Sequence, residues 1–397
     1  IIGGSKKLNS AKKRNQKNNM LIIFGVTLMV IMGVSSISPV FPLIKEEFNV
    51  TEQQVGLLIT FFNMPAIFLT PLFGVLADRY GRKKFMVPLL FLFAISGVLS
   101  GLTTDFNILL LLRAINGAGA SALGALNVTL MGDLFRERER LKVIGYNETV
   151  ANIGLAIYPL IGGMLAIFGW QFPFFLSVLA VPVGIATLFL LEDSHKNNGE
   201  NLKDYFVDLF KVLKDFRIIL IYIAGFSTFF LLSGAYSSYL PFLSEYKFGF
   251  PPWITGILMF FMSFTAAFAS SQLVKLSDRY TVKWLLAFSY MFYAVSLFLL
   301  MVVRNFVGLM VAVIIFGMGH GINIPSLHIL TTEITSRKNR GAVISLREVF
   351  FKLSGTLAPL MMGFLYTLNG IDAVYLFSAI YSLSIFVLLF FSFKKVF

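Results

Sequence analysis

GVLADRYGRKK at residues 74–84 and VKLSDRYTVK at residues 274–283 are the two segments that decide the fold of this chain. They are copies of one polar loop, because the tripeptide Asp-Arg-Tyr in the first segment returns 200 positions later in the second. Each copy interrupts a long apolar stretch. The sequence therefore predicts an internal repeat made of two similar apolar halves.

The offset of 200 positions extends well beyond this loop. Equivalent positions hold glycine at 56/256, 117/317, 119/319 and 163/363, arginine at 140/340, glutamate at 148/348 and proline at 159/359. Two similar membrane halves with a substrate site between them are a common architecture of secondary transporters. We therefore expect a transporter whose halves enclose its substrate.

The composition indicates a membrane protein. Hydrophobic residues make up 57% of the chain and charged residues only 13%, whereas a soluble domain carries about 25% charged residues. Cysteine is absent, which excludes disulfides and thiolate metal sites. We predict neither a cofactor nor a metal site.

Twelve stretches are long and apolar enough to cross a bilayer, which takes about 20 residues. They lie at about 20–43, 54–77, 84–103, 107–131, 142–168 and 171–191, and at about 217–243, 253–277, 283–303, 305–331, 341–367 and 371–393. We number them spans 1 to 12. The predicted fold class is an all-α membrane protein with twelve transmembrane helices in two pseudo-symmetric six-helix bundles.

The predicted domains follow from these spans. A basic tail (1–19) precedes the first bundle (20–191), and a polar linker (192–216) leads to the second bundle (217–397). Aromatic and leucine side chains late in the linker share one helical face, which predicts an amphipathic helix on the membrane surface. A solvated connecting helix is the equal alternative.

Basic residues predict the orientation. If both termini are cytoplasmic, the cytoplasmic segments hold 27 of the 33 lysines and arginines, and the outer loops hold only Lys45, Lys247 and Arg304. This bias follows the positive-inside rule. The net charge of +13 is dispersed over short loops, so the expected partners are membrane lipids and not nucleic acid. We expect a multi-pass protein of the cell membrane.

The loop after span 2 resembles the signature G-x-L-A-D-R-x-G-R-K of the major facilitator superfamily, and it matches at every position. The resemblance extends from about residue 20 to residue 395. It implies the twelve-helix fold of that family, in which two bundles rock about a central site. A monomer is the state that the resemblance implies.

Physical chemistry indicates what this loop does. Asp78 can face the positive N-terminus of span 11, and Arg82 can pair with Asp133 at the end of span 4. These contacts would hold a cytoplasmic gate shut, although a plain basic loop is the alternative. In the second copy the glycines are lost, so a weaker latch is expected there. The predicted gate residues are Gly74, Asp78, Arg79, Gly81, Arg82, Asp133, Arg140, Asp278, Arg279, Glu333 and Arg340.

Span 4 contains LLLLRAINGAGAS at residues 109–121, which is similar to the family motif L-x-x-x-R-x-x-Q-G-x-G, with Asn116 in place of glutamine. In drug-exporting members this arginine is tied to proton movement, so the resemblance implies that role for Arg113. An arginine inside a span is usually functional. The alternative is a side chain that extends to the nearby membrane surface.

Span 5 contains GYNETVANIGLAIYPLIGG, which is similar to the antiporter motif G-x8-G-x3-G-P-x2-G-G. That motif marks exporters that exchange substrate against protons, so the resemblance implies the drug/proton antiporter branch. Simple packing of small residues is the alternative. The residues at the motif positions are Gly145, Gly154, Tyr158, Pro159, Gly162 and Gly163, with Tyr158 replacing a glycine.

The charged residues within the spans are Arg113, Glu148, Arg347, Glu348 and Lys352. Glu148 and Glu348 occupy equivalent positions in the two halves. Each can carry a proton or form a structural ion pair with a neighbouring base, and both interpretations stay open. The predicted proton-coupling residues are Glu148, Arg113, His320 and Glu348.

Polar and aromatic side chains of spans 7 and 10 complete the expected substrate cavity. A histidine there can titrate near neutral pH or remain a neutral hydrogen-bonded ring. The spacing of His320 and His328 leaves them about 12 Å apart, which excludes a shared metal. Tyr236 and Tyr239 can form an aromatic wall or face lipid. The predicted cavity residues are Asn116, Tyr236, Tyr239, His320, Asn323, His328, Arg347 and Lys352.

The expected function is the export of a small, amphipathic, drug-like organic compound in exchange for protons, by alternating access. Three bases and two acids in the membrane would suit an anion or a zwitterion equally well. An exporter or flippase of a lipid-like or organic anion, or a uniporter, is therefore the alternative. No H-E-x-x-H or G-x-S-x-G motif occurs, which argues against a membrane enzyme. Against a receptor, the sequence shows no sizeable soluble domain, and the internal repeat favours alternating access.

Overall fold

The computed structural model describes residues 2–135, 137–191, 215–335 and 340–396, and within these ranges the regular structure is helical throughout. The predicted all-α fold class is confirmed. Side chains are described from residue 16 onward, except at positions 71, 74, 75, 78, 79, 128, 137, 138, 140, 141, 274, 340–342, 344, 345 and 396.

Spans 1 to 6 form the first half. Span 1 comprises the helix Ile2–Ser35, the 3-10 turn Ser38–Val40 and the helix Phe41–Phe48. Spans 2 to 5 are the single helices Glu52–Tyr80, Lys83–Ser100, Phe106–Leu134 and Glu137–Leu165. Span 6 comprises the helix Phe172–Phe175, the 3-10 turn Leu176–Leu179 and the helix Ala180–Leu190.

Spans 7 to 12 form the second half. Span 7 comprises the helix Phe216–Phe230, the π-helical segment Leu231–Ser238 and the helix Tyr239–Phe248. Span 8 is the helix Pro252–Ser271, followed by the short helix Leu273–Ser277. Spans 9 and 10 are the helices Val282–Val302 and Phe306–Ile334.

Spans 11 and 12 share one helical stretch, Arg340–Val396, which is broken at two residues. Asn369 and Gly370 leave helical geometry, and Gly370 adopts a positive φ of 65° that favours glycine. The described residues contain eleven helical stretches long and apolar enough to cross a membrane, and because this last stretch holds two spans, they account for the twelve predicted spans.

Twelve crossings place both ends of the chain on one face of the bundle, which we call the terminal face, and the other is the opposite face. The helix Ile2–Ser35 is about 50 Å long at 1.5 Å per residue, which exceeds the apolar core of a bilayer. Its start therefore extends beyond the terminal face. Residues 192–214, which include most of the predicted linker and surface helix, lie outside the described residues.

Polar side chains cap the N-termini of several spans at the opposite face. The hydroxyl of Thr51 accepts the backbone N–H of Gln54 at 3.2 Å, and the side chain of Gln54 accepts the backbone N–H of Thr51 at 2.9 Å. The side-chain oxygens of Asp105 and Asn305 cap spans 4 and 10, each by accepting one backbone N–H at 2.7 Å. The first N–H groups of a helix lack intrahelical partners, so each cap stabilises its helix by about 1 kcal/mol.

The two most extensive contacts between the halves are helix crossings, and each crossing joins one span of each half. Span 2 crosses span 11, and span 5 crosses span 8. The two contacts exchange under the 200-residue offset, so they are copies of one arrangement. In each, a glycine lies against a proline: Gly56 against Pro359, and Gly256 against Pro159. We call them crossing 2/11 and crossing 5/8.

Candidate functional site

Arg113 of span 4 is enclosed by the first half and is 1% exposed. Its Nη2 donates to the carbonyl of Gly33 at 2.7 Å, and its Nη1 donates to Oδ1 of Asn116 at 3.0 Å. Its Nε donates to the carbonyl of Leu58 at 3.4 Å, and the ring of Phe62 lies 4.4 Å from its Cζ. The guanidinium thus ties spans 1, 2 and 4 together and does not reach the membrane surface.

The other residues of the span 4 motif lie where span 4 packs against its neighbouring helices. Asn116 is buried, and its Nδ2 donates to the carbonyl of Phe93 at 2.7 Å. A Cβ at Gly117 would lie 1.9 Å from the carbonyl oxygen of Phe62, so only glycine fits there. The structure therefore places Asn116 between helices of the first half and not on the substrate cavity where the sequence placed it.

The span 5 motif performs two kinds of packing. A Cβ at Gly162 would lie 1.8 Å from the carbonyl oxygen of Ser36 in span 1, and one at Gly163 would lie 2.6 Å from that of Pro252 in span 8. The first contact holds span 5 inside its own half, and the second belongs to crossing 5/8. The other motif positions differ in their surroundings, since Gly154 and Tyr158 are buried and Gly145 borders open space.

Glu148 is exposed although it lies about three turns inside span 5. Its carboxylate interacts electrostatically with Glu348 and Arg347 of span 11, which belong to the other half. The exposed acid therefore faces the space between the halves and not the lipid. The sequence placed Glu148 and Glu348 at equivalent positions of the two halves but did not predict that they interact; the structure brings them near each other.

Arg347 organises the charges on the other side of this space. Its Nη2 donates to Oε1 of Glu348 at 3.2 Å, and its Nη1 lies 3.0 Å from Nδ1 of His328. Because a guanidinium only donates, Nδ1 of His328 accepts, and the ring of His328 carries its proton on Nε2. Lys352 interacts electrostatically with Glu348. We call Glu148, His328, Arg347, Glu348 and Lys352 the central charged cluster.

His320 lies apart from that cluster. The hydroxyl of Tyr293, a fully buried residue, lies 2.9 Å from Nδ1 of His320. The ring of Phe316 lies nearly parallel to the imidazole, with the ring centres 6.5 Å apart. His320 is therefore a hydrogen-bonded ring within the second half, which matches one of its two interpretations and leaves a proton-coupling role untested.

Asn323 is fully buried, which differs from the cavity position expected for it. Its Nδ2 donates to the hydroxyl of Ser289 at 2.8 Å, and its Oδ1 accepts the hydroxyl of Thr228 at 2.7 Å. The hydroxyl of Thr228 is also 2.8 Å from that of Tyr290. This network joins spans 7, 9 and 10. An asparagine in a span needs such partners, and the sequence does not show whether a cavity or a neighbouring helix supplies them.

Tyr236 and Tyr239 are also buried in the second half. Tyr236 stacks on Phe316 with ring centres 4.6 Å apart, and Tyr239 stacks on Tyr366 at 5.5 Å. Both rings are shielded from their surroundings, and Tyr239 also interacts electrostatically with Glu52 of the first half. The expected aromatic wall is thus packed against other aromatic rings, and its contact with a substrate stays a prediction.

The hydrogen bonds that join the halves, among the described residues, lie between mid-membrane and the opposite face. They are Ser38 to the carbonyl of Ser237, Lys45 to Tyr246, Tyr246 and Tyr366 to Glu52, Thr60 to the carbonyl of Thr356, and Ser263 to the carbonyl of Leu155. The central charged cluster lies nearer the terminal face, and its acids are solvent-accessible. Among the described residues, these hydrogen bonds thus close the space between the halves at the opposite face.

Four of these residues form a site that the sequence interpretation missed. Lys45 and Glu52 of the first half meet Tyr246 and Tyr366 of the second, and we call these four residues the opposite-face latch. One signal was present in the sequence, since Lys45 is one of few bases in the loops of that face. A base that departs from the positive-inside bias needs a local partner, and Glu52 supplies it.

The predicted gate is described only in part. Arg82 Nη1 lies 2.5 Å from Oδ2 of Asp133, which joins the start of span 3 to the end of span 4. Gly81 adopts a positive φ of 97°, which favours glycine at the sharp turn before Arg82. Several predicted gate positions lie outside the part of the chain whose side chains and burial are described: Gly74, Asp78, Arg79, Arg140 and Arg340. The gate residues of the second half that are described are exposed: Asp278, Arg279 and Glu333.

Comparison with known proteins agrees with this architecture. The family model of the Major Facilitator Superfamily matches residues 23–275 and 248–396. Multidrug resistance protein 2 of Bacillus subtilis is 24% identical over 89% of this chain and 90% of its own length, and the bacillibactin exporter of the same organism is 26% identical over 94% and 96%. A crystal structure of a variant of the nucleoside transporter NupG superposes with a TM-score of 0.79 at 15% identity, covering 94% of this chain and 99% of that one. The chain therefore belongs to the Major Facilitator Superfamily and is a membrane transporter, not an enzyme.

Proposed function

We propose that this transporter exports small amphipathic organic compounds in exchange for protons, as a monomer in the cell membrane with the terminal face in the cytoplasm. The basic loops support this orientation, and the span 5 motif and the exporters named above support the direction. The observation that carries the proposal is Glu148, an exposed carboxylate inside a span that faces Arg347 and Glu348 across the central space.

The coupling follows from the cost of burying this carboxylate. Alternating access requires the halves to close at the terminal face, which brings Glu148 against span 11. An ionised carboxylate is costly to bury unless it is paired, and Glu348 next to it adds repulsion. Closure is therefore permitted when Glu148 holds either a proton or the cationic group of a substrate. The two ligands exclude each other at one carboxylate, which produces exchange.

The charges of the cluster bear on the substrate. Arg113 is held within its own half and is not part of the cluster. The two positive charges of Arg347 and Lys352 face the two negative charges of Glu148 and Glu348, so the net charge of the ionised cluster is zero. A compound with one charged group and an apolar body fits such a site. The Arg82–Asp133 pair lies at the terminal face, and we infer that it contributes to the equilibrium between the inward-open and outward-open states.

A second candidate is the export of an organic anion. Nε of Arg347 is buried and has no hydrogen-bond partner among the described residues. A carboxylate or phenolate oxygen of a substrate would satisfy it with a charge-assisted hydrogen bond. In this candidate Arg347, and not Glu148, holds the charged group of the substrate.

The test compares Glu148→Gln with Glu47→Gln in proteoliposomes. The second variant removes an exposed acid in the segment before span 2, at the opposite face, and serves as the matched control. We expect Glu148→Gln to lose substrate accumulation driven by a pH gradient but to retain substrate exchange without one. Unchanged gradient-driven transport in Glu148→Gln would contradict the proposal. Transport of anionic and cationic dyes, with Arg347→Gln as a second variant, separates the two candidates.

A further inference from the structure

The opposite-face latch is centred on one carboxylate. Oε1 of Glu52 accepts the hydroxyl of Tyr246 at 2.6 Å and that of Tyr366 at 3.1 Å, and it lies 2.8 Å from Nζ of Lys45. Lys45 Nζ also donates to the hydroxyl of Tyr246 at 2.7 Å. A single oxygen of the first half therefore holds spans 7 and 11 of the second half.

Other titratable groups surround the latch. Tyr239, which stacks on Tyr366, interacts electrostatically with Glu52. Glu245 of span 7 interacts with Tyr246, with Lys45 and with Glu46 of the first half. Lys45 is therefore the positive charge among several acids and hydroxyls at this point, and the latch depends on the ion pair that Lys45 makes with Glu52.

Solvent at the opposite face reaches this carboxylate. The side chain of Glu52 is 12% exposed, and that of Lys45 is 32% exposed. Solvent does not reach one turn further into the membrane, because Val55 is fully buried there in a core cluster formed by both halves. The latch thus lies at the boundary between external water and the sealed interior.

We propose that Glu52 is a second proton-binding site of this transporter and that its protonation from outside releases the opposite-face latch. The proposal rests on the proposed function, because the orientation given there makes the opposite face external. The ligand is a proton, and the site is separate from Glu148, which faces the terminal side.

The closed latch requires the ionised form of Glu52. An ionised carboxylate accepts both tyrosine hydroxyls and attracts Lys45, and such charge-assisted hydrogen bonds are stronger than neutral ones. Protonation removes the ion pair and weakens both bonds. Because the closed state favours the ionised acid, linkage requires that protons favour the open state. The open fraction at the opposite face therefore rises as external pH falls.

An external gate that opens more as external pH falls suits a proton-driven exporter. The pocket opens outward most readily when external protons are abundant, and those protons then reach Glu148 and drive the return to the inward-open state. When external protons are scarce, Glu52 stays ionised and the latch stays closed. The site thus links opening of the external gate to the supply of the driving ion.

The experiment measures opening without substrate or a proton gradient. Since the chain has no cysteine, Val55→Cys provides a single reporter for a membrane-impermeant thiol reagent. Leu102→Cys, at a 63% exposed position between spans 3 and 4, corrects for the pH dependence of the thiol itself. We expect the labelling ratio to rise as pH is lowered from about 8 to about 5.5, and Glu52→Gln to raise it at least about tenfold at the higher pH and to abolish its pH dependence.

Glu47→Gln is the matched control, and it should leave the ratio and its pH dependence unchanged. Tyr366→Phe and Tyr246→Phe remove one donor each, so they should raise labelling at high pH even if Glu52→Gln folds poorly. A ratio that does not depend on pH in the parent protein overturns the proposal, as does equal labelling in the parent and the tyrosine variants. The readout involves no transport, so failure of proton coupling at Glu148 would leave this result interpretable.

Discussion

Crossing 5/8 and crossing 2/11 are copies of one contact, yet they hold the halves together by different means. At crossing 5/8 a Cβ at Gly256 would lie 2.5 Å from the carbonyl oxygen of Pro159. At crossing 2/11 the equivalent Cβ at Gly56 would lie 3.4 Å from Cβ of Pro359, which is ordinary contact. At the first crossing the glycine lies against backbone, and at the second it has room for a methyl group.

A second difference coincides with the first. Glu52, the centre of the opposite-face latch, stands in the sequence where the other half has Pro252. The looser crossing therefore carries the polar latch, and the tighter one carries a proline that packs on Gly163. The two copies of a repeated sequence can therefore have different roles. We expect crossing 5/8 to stay fixed and crossing 2/11 to loosen when Glu52 is protonated.

The largest expected effect is the contrast between Gly256→Ala and Gly56→Ala. The added methyl group at position 256 meets backbone that cannot move without separating the spans, so we expect a loss of about 1–3 kcal/mol in stability. At position 56 the methyl group fits, and alanine has a higher helix propensity than glycine by up to about 1 kcal/mol. We therefore expect Gly56→Ala to leave the stability unchanged or to raise it slightly. Thermal unfolding of both variants in lipid nanodiscs checks this, and equal unfolding temperatures would remove the asymmetry.

The next contrast is between Gly163→Ala and Gly363→Ala. A Cβ at Gly163 would lie 2.6 Å from the carbonyl oxygen of Pro252, whereas one at Gly363 would meet the side chain of Gln53 at 2.5 Å. A glutamine side chain can rotate away, so Gly363→Ala should lower the unfolding temperature much less than Gly163→Ala. The reverse order would mean that the backbone at crossing 5/8 adapts more easily than its geometry indicates.

The smallest effect is expected from the hydroxyls near the two crossings. Thr60 donates to the carbonyl of Thr356 at 3.0 Å, and Ser263 donates to that of Leu155 at 3.1 Å. Thr60→Val and Ser263→Ala should each cost about 1 kcal/mol and should differ little in unfolding temperature. A large difference between them would show that these hydroxyls, and not the glycines, distinguish the crossings.

Much of the fold could be predicted because its signals are local. Apolar stretches of bilayer length predict spans wherever they occur, and repeated residues such as Pro159 and Pro359 predict that the halves correspond. The equivalence of Glu148 and Glu348 also follows from that correspondence, although their proximity across the centre is seen only in the structure. These inferences need only the sequence and the thickness of a membrane.

The partners of individual polar residues were harder to predict. Arg113 is held largely by the carbonyls of Gly33 and Leu58. Because every residue has a backbone carbonyl, the sequence does not indicate which carbonyls accept hydrogen bonds from an arginine. Asn323 was assigned to the cavity because span 10 lines it, but the rotation of a helix about its axis decides which side chains face inward. Glu52 was missed because its tyrosine partners lie in the other half, so that only the assembled bundle brings them together.

The break at Asn369 and Gly370 has a mechanical consequence. Only two residues separate the helical geometry of span 11 from that of span 12, so a displacement at the outer end of span 11 is transmitted directly to its neighbour. Span 12 presents large side chains such as Ile380 and Phe391 on its outer surface, where acyl chains surround the bundle. In the proposed transport cycle, release of crossing 2/11 would therefore displace lipid as well as protein, and we expect turnover to depend on the fluidity of the bilayer.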